Sequence, residues 1–524
     1  LTVSIAAVRN GGRFTHPERA ALHPSSNRLP LAVRSLVAAT AGGLAVLSFA
    51  PFGLFPLAVL ALAVLYEVLT RRPAQGGFWV GWAFGIGLMG FGVFWIRISL
   101  NEFGNMGGLL AYALTFLFIL GMALYYGLVG WLVARLAGRA PHADPLLLFP
   151  ALWVLGEWLR GWLFTGFPWL AFGYSQVDSP LVGLAPVVGV YGVSLAVAVS
   201  GGLLWGAARW PGRARVAALA GVGGLWLVGG GLTHVDWTRP QGEPFRATVV
   251  QANIQQTVKW DPESRIPTLR AYVELTRANW GSDIIVWPET AVPDFLSRVQ
   301  KVFIDPLAAE ARESKTELVV GIPVIDTTDR TYYNGLVSLG TVQDVYRKRH
   351  LVPFGEFMPF KAWLGPLVDA FEIPMSDFSP GRAARPLLRV GSHLAGVSIC
   401  YEDAFPAEVA EALPDAAFFI NVSNDAWFGD SLAPHQHLEI ARMRSIENER
   451  WTLRATNTGI SGIVDHKGRI VGEVPAFQRG VFTAEVQPRA GATPFDRIGN
   501  WLAIGIALAM LATVLFVARR GRAE

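Results

Sequence analysis

HLAGVSICYED, residues 393–403, carries the only cysteine among 524 residues. Its leading part, HLAGVSIC, is a short apolar run of the kind that forms a buried strand, and Cys400 stands where that strand ends. Taken alone, the thiol is open to two readings. It is either a small hydrophobe filling a core or a nucleophile held at the edge of a sheet.

Its neighbourhood in the chain is of one texture. From about residue 242 to residue 489 charges appear and apolar runs shorten. FRATVVQ (245–251), DIIVW (283–287), TELVVGI (316–322), LAGVSIC (394–400) and AAFFINV (416–422) are predicted to be buried strands. Helices are predicted between them, over 268–279, 304–314 and 437–450. Continuous apolar strands alternating with helices imply an α/β layered domain with both sheet faces covered. Chemistry-bearing residues stand at the ends of three such strands. DIIVWPET delivers Glu289, YRKRHLVPFGEFMP delivers Lys348 after a strand-like stretch at 342–346, and the opening segment delivers Cys400. Singly, each has an ordinary explanation as a capping carboxylate, a solvated lysine or a packed thiol. Together, a carboxylate, an amine and a thiol at strand ends make an activated nucleophile.

The remainder of the chain is apolar. Hydrophobic residues make up 52% of the sequence and charged residues only 16%, low for a soluble protein. Apolar runs occupy 31–50, 54–69, 78–96, 109–133, 145–164, 181–207, 216–232 and 501–517. Most approach the ~20 residues that cross a bilayer, so about eight spans are expected, with 54–69 the shortest. A cleaved signal peptide at 31–50 is disfavoured, because Pro51 follows the SFA site directly. Arginines set the orientation: Arg71 and Arg72, then Arg135 and Arg139, then Arg209, Arg213 and Arg215 fall in alternate loops. Arg9, Arg13, Arg19 and Arg28 precede the first span, and Arg519, Arg520 and Arg522 follow the last. The intervening loops are nearly free of basic residues, which puts both termini in the cytoplasm and residues 242–489 outside. The net charge of +4 is therefore a matter of topology, and no nucleic-acid partner is expected. One cysteine allows neither an intramolecular disulfide framework nor a Cys-based zinc site. His435 and His437 have no third ligand nearby in sequence, so no metal is assigned. Glu157 and Arg160 stand near the outer end of the fifth run and are expected to snorkel at the interface.

WPET, KRHLVPFGE and CYED resemble the Glu-Lys-Cys triad segments of the nitrilase superfamily of carbon–nitrogen hydrolases and acyltransferases. Within it, the chain is similar to the apolipoprotein N-acyltransferase family, membrane enzymes of bacterial lipoprotein maturation. VQANIQQTVKWDP (250–262), YYNGLVSLG (332–340), NVSNDAWFGDSLAPHQHLEIARMRSIENER (421–450) and RATNTGISG (454–462) carry the likeness over nearly the whole chain. Ala404-Phe405-Pro406 stands where soluble amidases often have an Arg, and Phe357 stands where Tyr is expected.

The resemblance implies a multi-span α-helical membrane domain and an external nitrilase-like αββα sandwich. Their bounds are a cytoplasmic tail at 1–30, seven spans at 31–235, a periplasmic catalytic domain at 242–489, a last span at 498–518 and a cytoplasmic tail at 519–524. It implies Glu289 as base, Lys348 facing the oxyanion and Cys400 as nucleophile, supported by Glu356, Tyr401 and Glu402. Glu402 has an equal reading as a cap of its own turn. Trp260, Asn334, Phe357, Trp427 and Phe428 are implied as substrate-binding or lid residues. The partners are a phospholipid acyl donor, a diacylglyceryl apolipoprotein acceptor and the bilayer of a bacterial inner membrane. The chain is expected to act as a monomer without a cofactor, since a thioester converts to an amide downhill. An apolar stretch at 352–375, rich in Pro and Gly, suits a loop that admits acyl chains. A membrane-tethered amidase using the same triad is the competing reading, though seven spans exceed what tethering needs. A transporter would require ionisable residues deep within several spans, which these runs lack.

Overall fold

The computed structural model describes residues 29–71, 76–104, 107–138, 140, 142–326, 330–358 and 378–523. The N-terminal tail with its arginines, Arg72, Arg139 and residues 359–375 of the apolar stretch lie outside the described residues.

Among the described residues, five helices are long and apolar enough to cross a membrane: Leu31–Ser48, Gly108–Leu136, Pro180–Arg209, Gly212–Leu232 and Trp501–Arg520. Gly77–Gly92 and Ile96–Phe103 form a sixth only as a pair bent by 60°. Pro56–Thr70 is the short apolar helix that 54–69 suggested. The run 145–164 differs from expectation. Its α-helix, Phe149–Arg160, continues a π-helical turn at Asp144–Leu148 and stops before the run ends. Phe164 and Gly166 then turn the chain with positive φ, and the following segment folds back among the helices in buried turns. Glu157 and Arg160 are consequently buried and do not snorkel. Glu157 accepts from Trp153 and from the Phe172 amide, while Arg160 donates to the carbonyls of Phe167 and Trp169. Their backbone partners lie in the returning loop, which holds both side chains inward.

The outward faces of the long helices carry large apolar side chains, among them Leu109 at 90% and Leu227 at 78% exposure. A continuous apolar exterior with all backbone bonds satisfied inside each helix is a lipid-facing surface. Small residues bring the helices together. A methyl on Gly42 would meet the backbone of Phe84 and Leu88, and one on Gly87 the backbone of Ala39 and Gly43.

Among the described residues fourteen strands follow: β1 Arg239–Pro240, β2 Phe245–Gln251, β3 Ile284–Val286, β4 Glu317–Ile325, β5 Tyr332–Leu339, β6 Asp344–Arg347, β7 Leu387–Val390, β8 His393–Ile399, β9 Phe418–Ser423, β10 Thr452–Thr456, β11 Ser461–Val464, β12 Ile470–Val474, β13 Gly480–Val486 and β14 Arg489–Ala490. β1 and β14 pair with each other, and the rest form two six-stranded sheets, ordered β13-β2-β3-β4-β5-β6 and β12-β11-β10-β9-β8-β7. In each sheet the central strands run parallel (β2, β3, β4; β8, β9, β10) and the flanking ones antiparallel. Val249, Val286 and Leu336 of one sheet pack against Val397, Ile420 and Leu453 of the other in a shared core. Helices Pro262–Arg277 and Asp305–Glu313 cover the outer face of the first sheet. Helix Ala433–Asn448 lies on the second, giving an αββα sandwich.

That last helix also joins the two parts of the molecule. Ile440, Met443 and Ile446 share one apolar core with the membrane helices, as do Tyr401, Ala404 and Phe405 beside Cys400. Gln436 accepts from the indoles of Trp95 and Trp169 and donates to the Gly92 carbonyl. Glu447 accepts from the Val190 amide at 2.6 Å, next to Gly189, whose φ of +65° interrupts its helix.

Close packing reaches the segment after β3. A methyl group on Gly321 of β4 would collide with the Pro288 carbonyl and stand 2.8 Å from Glu289 Cα. Gly321→Ala is expected to cost about 1–3 kcal/mol of stability through overpacking, seen as a lower midpoint of thermal unfolding. Gly355→Ala is the control, since its methyl meets nothing closer than 3.5 Å.

Candidate active site

Glu289, Lys348 and Cys400 each stand just beyond a strand. Trp287 still bonds to Val319 of β4, and Pro288 then carries the chain to Glu289, where Thr290 turns it at φ +49°. Lys348 follows β6, and its amide donates to the Asn334 carbonyl of β5 at 2.8 Å, which keeps it at the sheet edge. Cys400 follows β8 with φ +52° and opens the turn Cys400–Ala404. A left-handed backbone at a residue bearing a Cβ costs roughly 1–2 kcal/mol, so the surrounding contacts must hold it.

The three side chains are close to fully buried, with exposures of 8% for Glu289, 0% for Lys348 and 9% for Cys400. Lys348 Nζ lies 3.8 Å from Glu289 Oε1 and 2.8 Å from Glu356 Oε2. Asn334 Nδ2 bridges the two carboxylates, donating to Glu289 at 2.6 Å and to Glu356 at 3.0 Å. Glu356 also accepts from the Val352 amide. Burial pushes the Glu289 carboxyl up, a rise that Lys348 opposes and Glu356 reinforces. Burial acts against the Lys348 ammonium, but Glu356 and Glu289 outweigh it and hold the amine charged. Burial and the Glu289 charge raise the Cys400 thiol well above its ordinary value, while Lys348 pulls it down. The resting arrangement is thus a neutral thiol within electrostatic reach of a buried carboxyl and a fixed cation.

The other sequence-assigned residues divide by position. Asn334 and Glu356 surround the ammonium. Glu402 turns under its own strand end, accepting from the amides of Ile399, Arg349 and His350 and from the Tyr346 hydroxyl. It therefore caps the turn that begins at Cys400. The Tyr401 hydroxyl reaches the Gly166 carbonyl of the membrane part at 2.7 Å. Phe428 packs edge-on against Trp95 at 4.7 Å, and Trp427 against Phe103 at 5.2 Å, both on the bent helix pair. Trp260 is 40% exposed, and Phe357 is half-buried in the tight loop it closes with Phe354.

Two features escaped the sequence reading. Lys259, next to Trp260, is buried with its Nζ 3.3 Å from the Glu289 carbonyl, and burial lowers its pKa to about 8. Asp403, Asp425, His437 and Arg454 form a buried ionic cluster behind Cys400. The only sequence signal for the cluster was the density of polar residues in 421–450 and 454–462, stretches that otherwise lie in strands and a buried helix.

The opposed charges beside the thiol give a signed expectation. Because Cys400 is the only cysteine, its alkylation by a small maleimide is read directly from intact mass. Lys348→Met removes the cation and is expected to move the alkylation midpoint to higher pH; Glu289→Gln removes the anion and is expected to move it lower. Shifts in the same direction would show that the two charges do not act on the sulfur.

Comparison with known sequences agrees with this division of the chain. Residues 41–203 match the apolipoprotein N-acyltransferase N-terminal domain family, and residues 246–495 match the carbon-nitrogen hydrolase family. The chain is 45% identical to the apolipoprotein N-acyltransferase of Methylococcus capsulatus over 490 residues, 93% of this chain and 97% of that one. It is 42% identical to that of Nitrosomonas europaea (93% and 98% covered) and 41% identical to that of Pseudomonas putida (90% and 95% covered). Apolar helices, a carbon–nitrogen hydrolase sandwich docked on them and near-complete alignment lead to one conclusion: this membrane protein belongs to the apolipoprotein N-acyltransferase family.

Proposed function

We propose that this chain transfers a fatty acyl group from a phospholipid to the α-amine of diacylglyceryl-cysteine at the N-terminus of apolipoproteins, through a thioester on Cys400. What carries the proposal is that buried Glu289 and Lys348 lie 3.8 Å apart and are near enough to the buried Cys400 for both charges to act on its thiol, in a chain of this family.

Glu289 takes the thiol proton as sulfur attacks the ester carbonyl carbon. The oxyanion that develops is stabilised by the Lys348 ammonium, which Glu356 and Asn334 hold in place. Collapse breaks the C–O bond, Glu289 returns the proton to the departing lysophospholipid alkoxide, and the acyl group stays on sulfur. The neutral amine of the acceptor then attacks the thioester. Its proton passes by way of Glu289 to the leaving thiolate, and the amide is released. A raised carboxyl pKa suits Glu289 to both transfers, and its work as a base is lost as pH falls through that raised value. Trp260, Phe357, Trp427 and Phe428 are assigned to the substrate path, since they are exposed or packed on the bent helix pair. Tyr401 ties the nucleophile's turn to the membrane part.

About eight crossings of the bacterial inner membrane accompany this reading, the shorter helices Pro56–Thr70 and Phe149–Arg160 completing the set. The distribution of arginines supports cytoplasmic termini at 1–30 and 519–524, a catalytic domain at 242–489 on the periplasmic side and a last span at 498–518. One chain holds Glu289, Lys348 and Cys400, which supports a monomer as the unit of function.

Incubation with a defined phospholipid alone is expected to add one acyl mass to the protein, released by neutral hydroxylamine and cleared by a diacylglyceryl-cysteine peptide. Cys400→Ala and Cys400→Ser are expected to form no adduct and to lose transfer by more than about 10³-fold. A Cys400→Ala protein that still transfers at the wild-type rate would overturn the mechanism.

A further inference from the structure

The transfer scheme leaves unused the ionic cluster behind the nucleophile. His437, on helix Ala433–Asn448, has 1% side-chain exposure. Its Nδ1 lies 2.8 Å from Asp425 Oδ1, and its Nε2 lies 3.0 Å from Asp403 Oδ1 and 3.3 Å from the carbonyl oxygen of Cys400. Arg454 of β10 stands 3.0 Å from Asp425 Oδ2 and 3.6 Å from Asp403 Oδ2. Ser423 donates to Asp425 at 2.6 Å, and the Trp169 ring of the membrane part lies 5.6 Å from the imidazole.

A neutral imidazole carries one N–H and can serve one of these faces only. Both ring nitrogens here meet acceptors, a carboxylate on one side and a carboxylate with a carbonyl on the other. The charges also balance only with the ring protonated: Asp403 and Asp425 against His437 and Arg454. Burial works against that proton, but Asp403 and Asp425 outweigh it and raise the His437 pKa to about 9. His437 and Arg454 in turn hold Asp425 down at about 2, against the pull of burial. The charged ring is therefore the resting state at neutral pH. Its Nε2–H points at the carbonyl of a residue whose φ of +52° needs outside support.

We propose that His437 is a positioning residue for the nucleophile. As an imidazolium anchored on Asp403 and Asp425, it clamps the Cys400 carbonyl and fixes the left-handed strand end that turns the sulfur toward Glu289 and Lys348. This rests on the reading of Cys400 as the acyl-carrying thiol.

The test compares full-length His437→Gln, His437→Asn and His437→Phe in detergent. Gln places an amide donor where Nε2 stood and can still reach the Cys400 carbonyl; Asn places one where Nδ1 stood and cannot. Single-turnover acylation from a defined phospholipid is expected to fall about 100-fold in the Asn and Phe variants and about 10-fold in Gln, with the phospholipid KM within about 2-fold of wild type. The maleimide alkylation midpoint of Cys400 is expected to rise further in Asn than in Gln. Equal losses in Gln and Asn, or wild-type rates in all three, would overturn the proposal. Thermal unfolding reports whether the Phe variant folds, and the Gln–Asn comparison decides if it does not. Absence of an acyl adduct in the wild-type protein would instead sink the thioester reading, and alkylation would still report how the sulfur is held.

Discussion

A buried ammonium between two carboxylates sets the terms for everything around it. Lys348 has no exposure, and Glu356 and Glu289 lie 2.8 and 3.8 Å from it. Leaving one charge of such a group unpaired would cost several kcal/mol, so the lysine, both glutamates and Asn334 stand or fall together. In the proposed transfer the arrangement also serves chemistry. A cation held by two carboxylates cannot follow a single proton transfer, and it remains in place as charge develops on a substrate oxygen. Burial keeps the Cys400 thiol protonated at rest, and in the proposed transfer it stays so until Glu289 accepts its proton.

The same economy of parts governs the junction with the membrane helices. Helix Ala433–Asn448 presents Ile440, Met443 and Ile446 to the apolar core of the membrane part and His437 to the back of Cys400. The turn after β8 does likewise, with Tyr401 on Gly166 and Tyr174 bonded to the Ala404 carbonyl. Cys400, the proposed nucleophile, thus stands on the face of the sandwich that docks on the apolar helices. A sulfur so placed suits a substrate whose reactive ester lies near a bilayer surface, and the buried surroundings shield a thioester from water.

Much of this architecture was legible in the residues. Parallel strands buried on both faces read as unbroken apolar runs, so β2, β3, β4, β8 and β9 were found within a few residues of their bounds. The antiparallel strands at the sheet margins, such as β12 and β13, have exposed or half-exposed positions and carry no comparable signal. Among the helices, hydropathy marks the run 145–164 as one apolar stretch but does not register that its helix ends at Arg160 and that Phe164 and Gly166 turn the chain back. The buried Glu157 and Arg160 were misjudged for the same reason. Their partners are backbone carbonyls and amides of the returning loop, which no spacing rule reveals.

The sequence by itself determined the inventory: apolar stretches that must form helices or buried strands, and a carboxylate, an amine and a thiol each delivered at a strand end. Those are local properties, set by periodicity and by where an apolar run stops. Only the tertiary structure decided what each polar group does. Glu356 joined Lys348 while Glu402 capped a turn, and His437, 37 residues from Cys400, came to bear on its carbonyl. The physical reason is that a buried charge is defined by its partners. Partners from different strands and helices meet only after the two sheets have closed on each other.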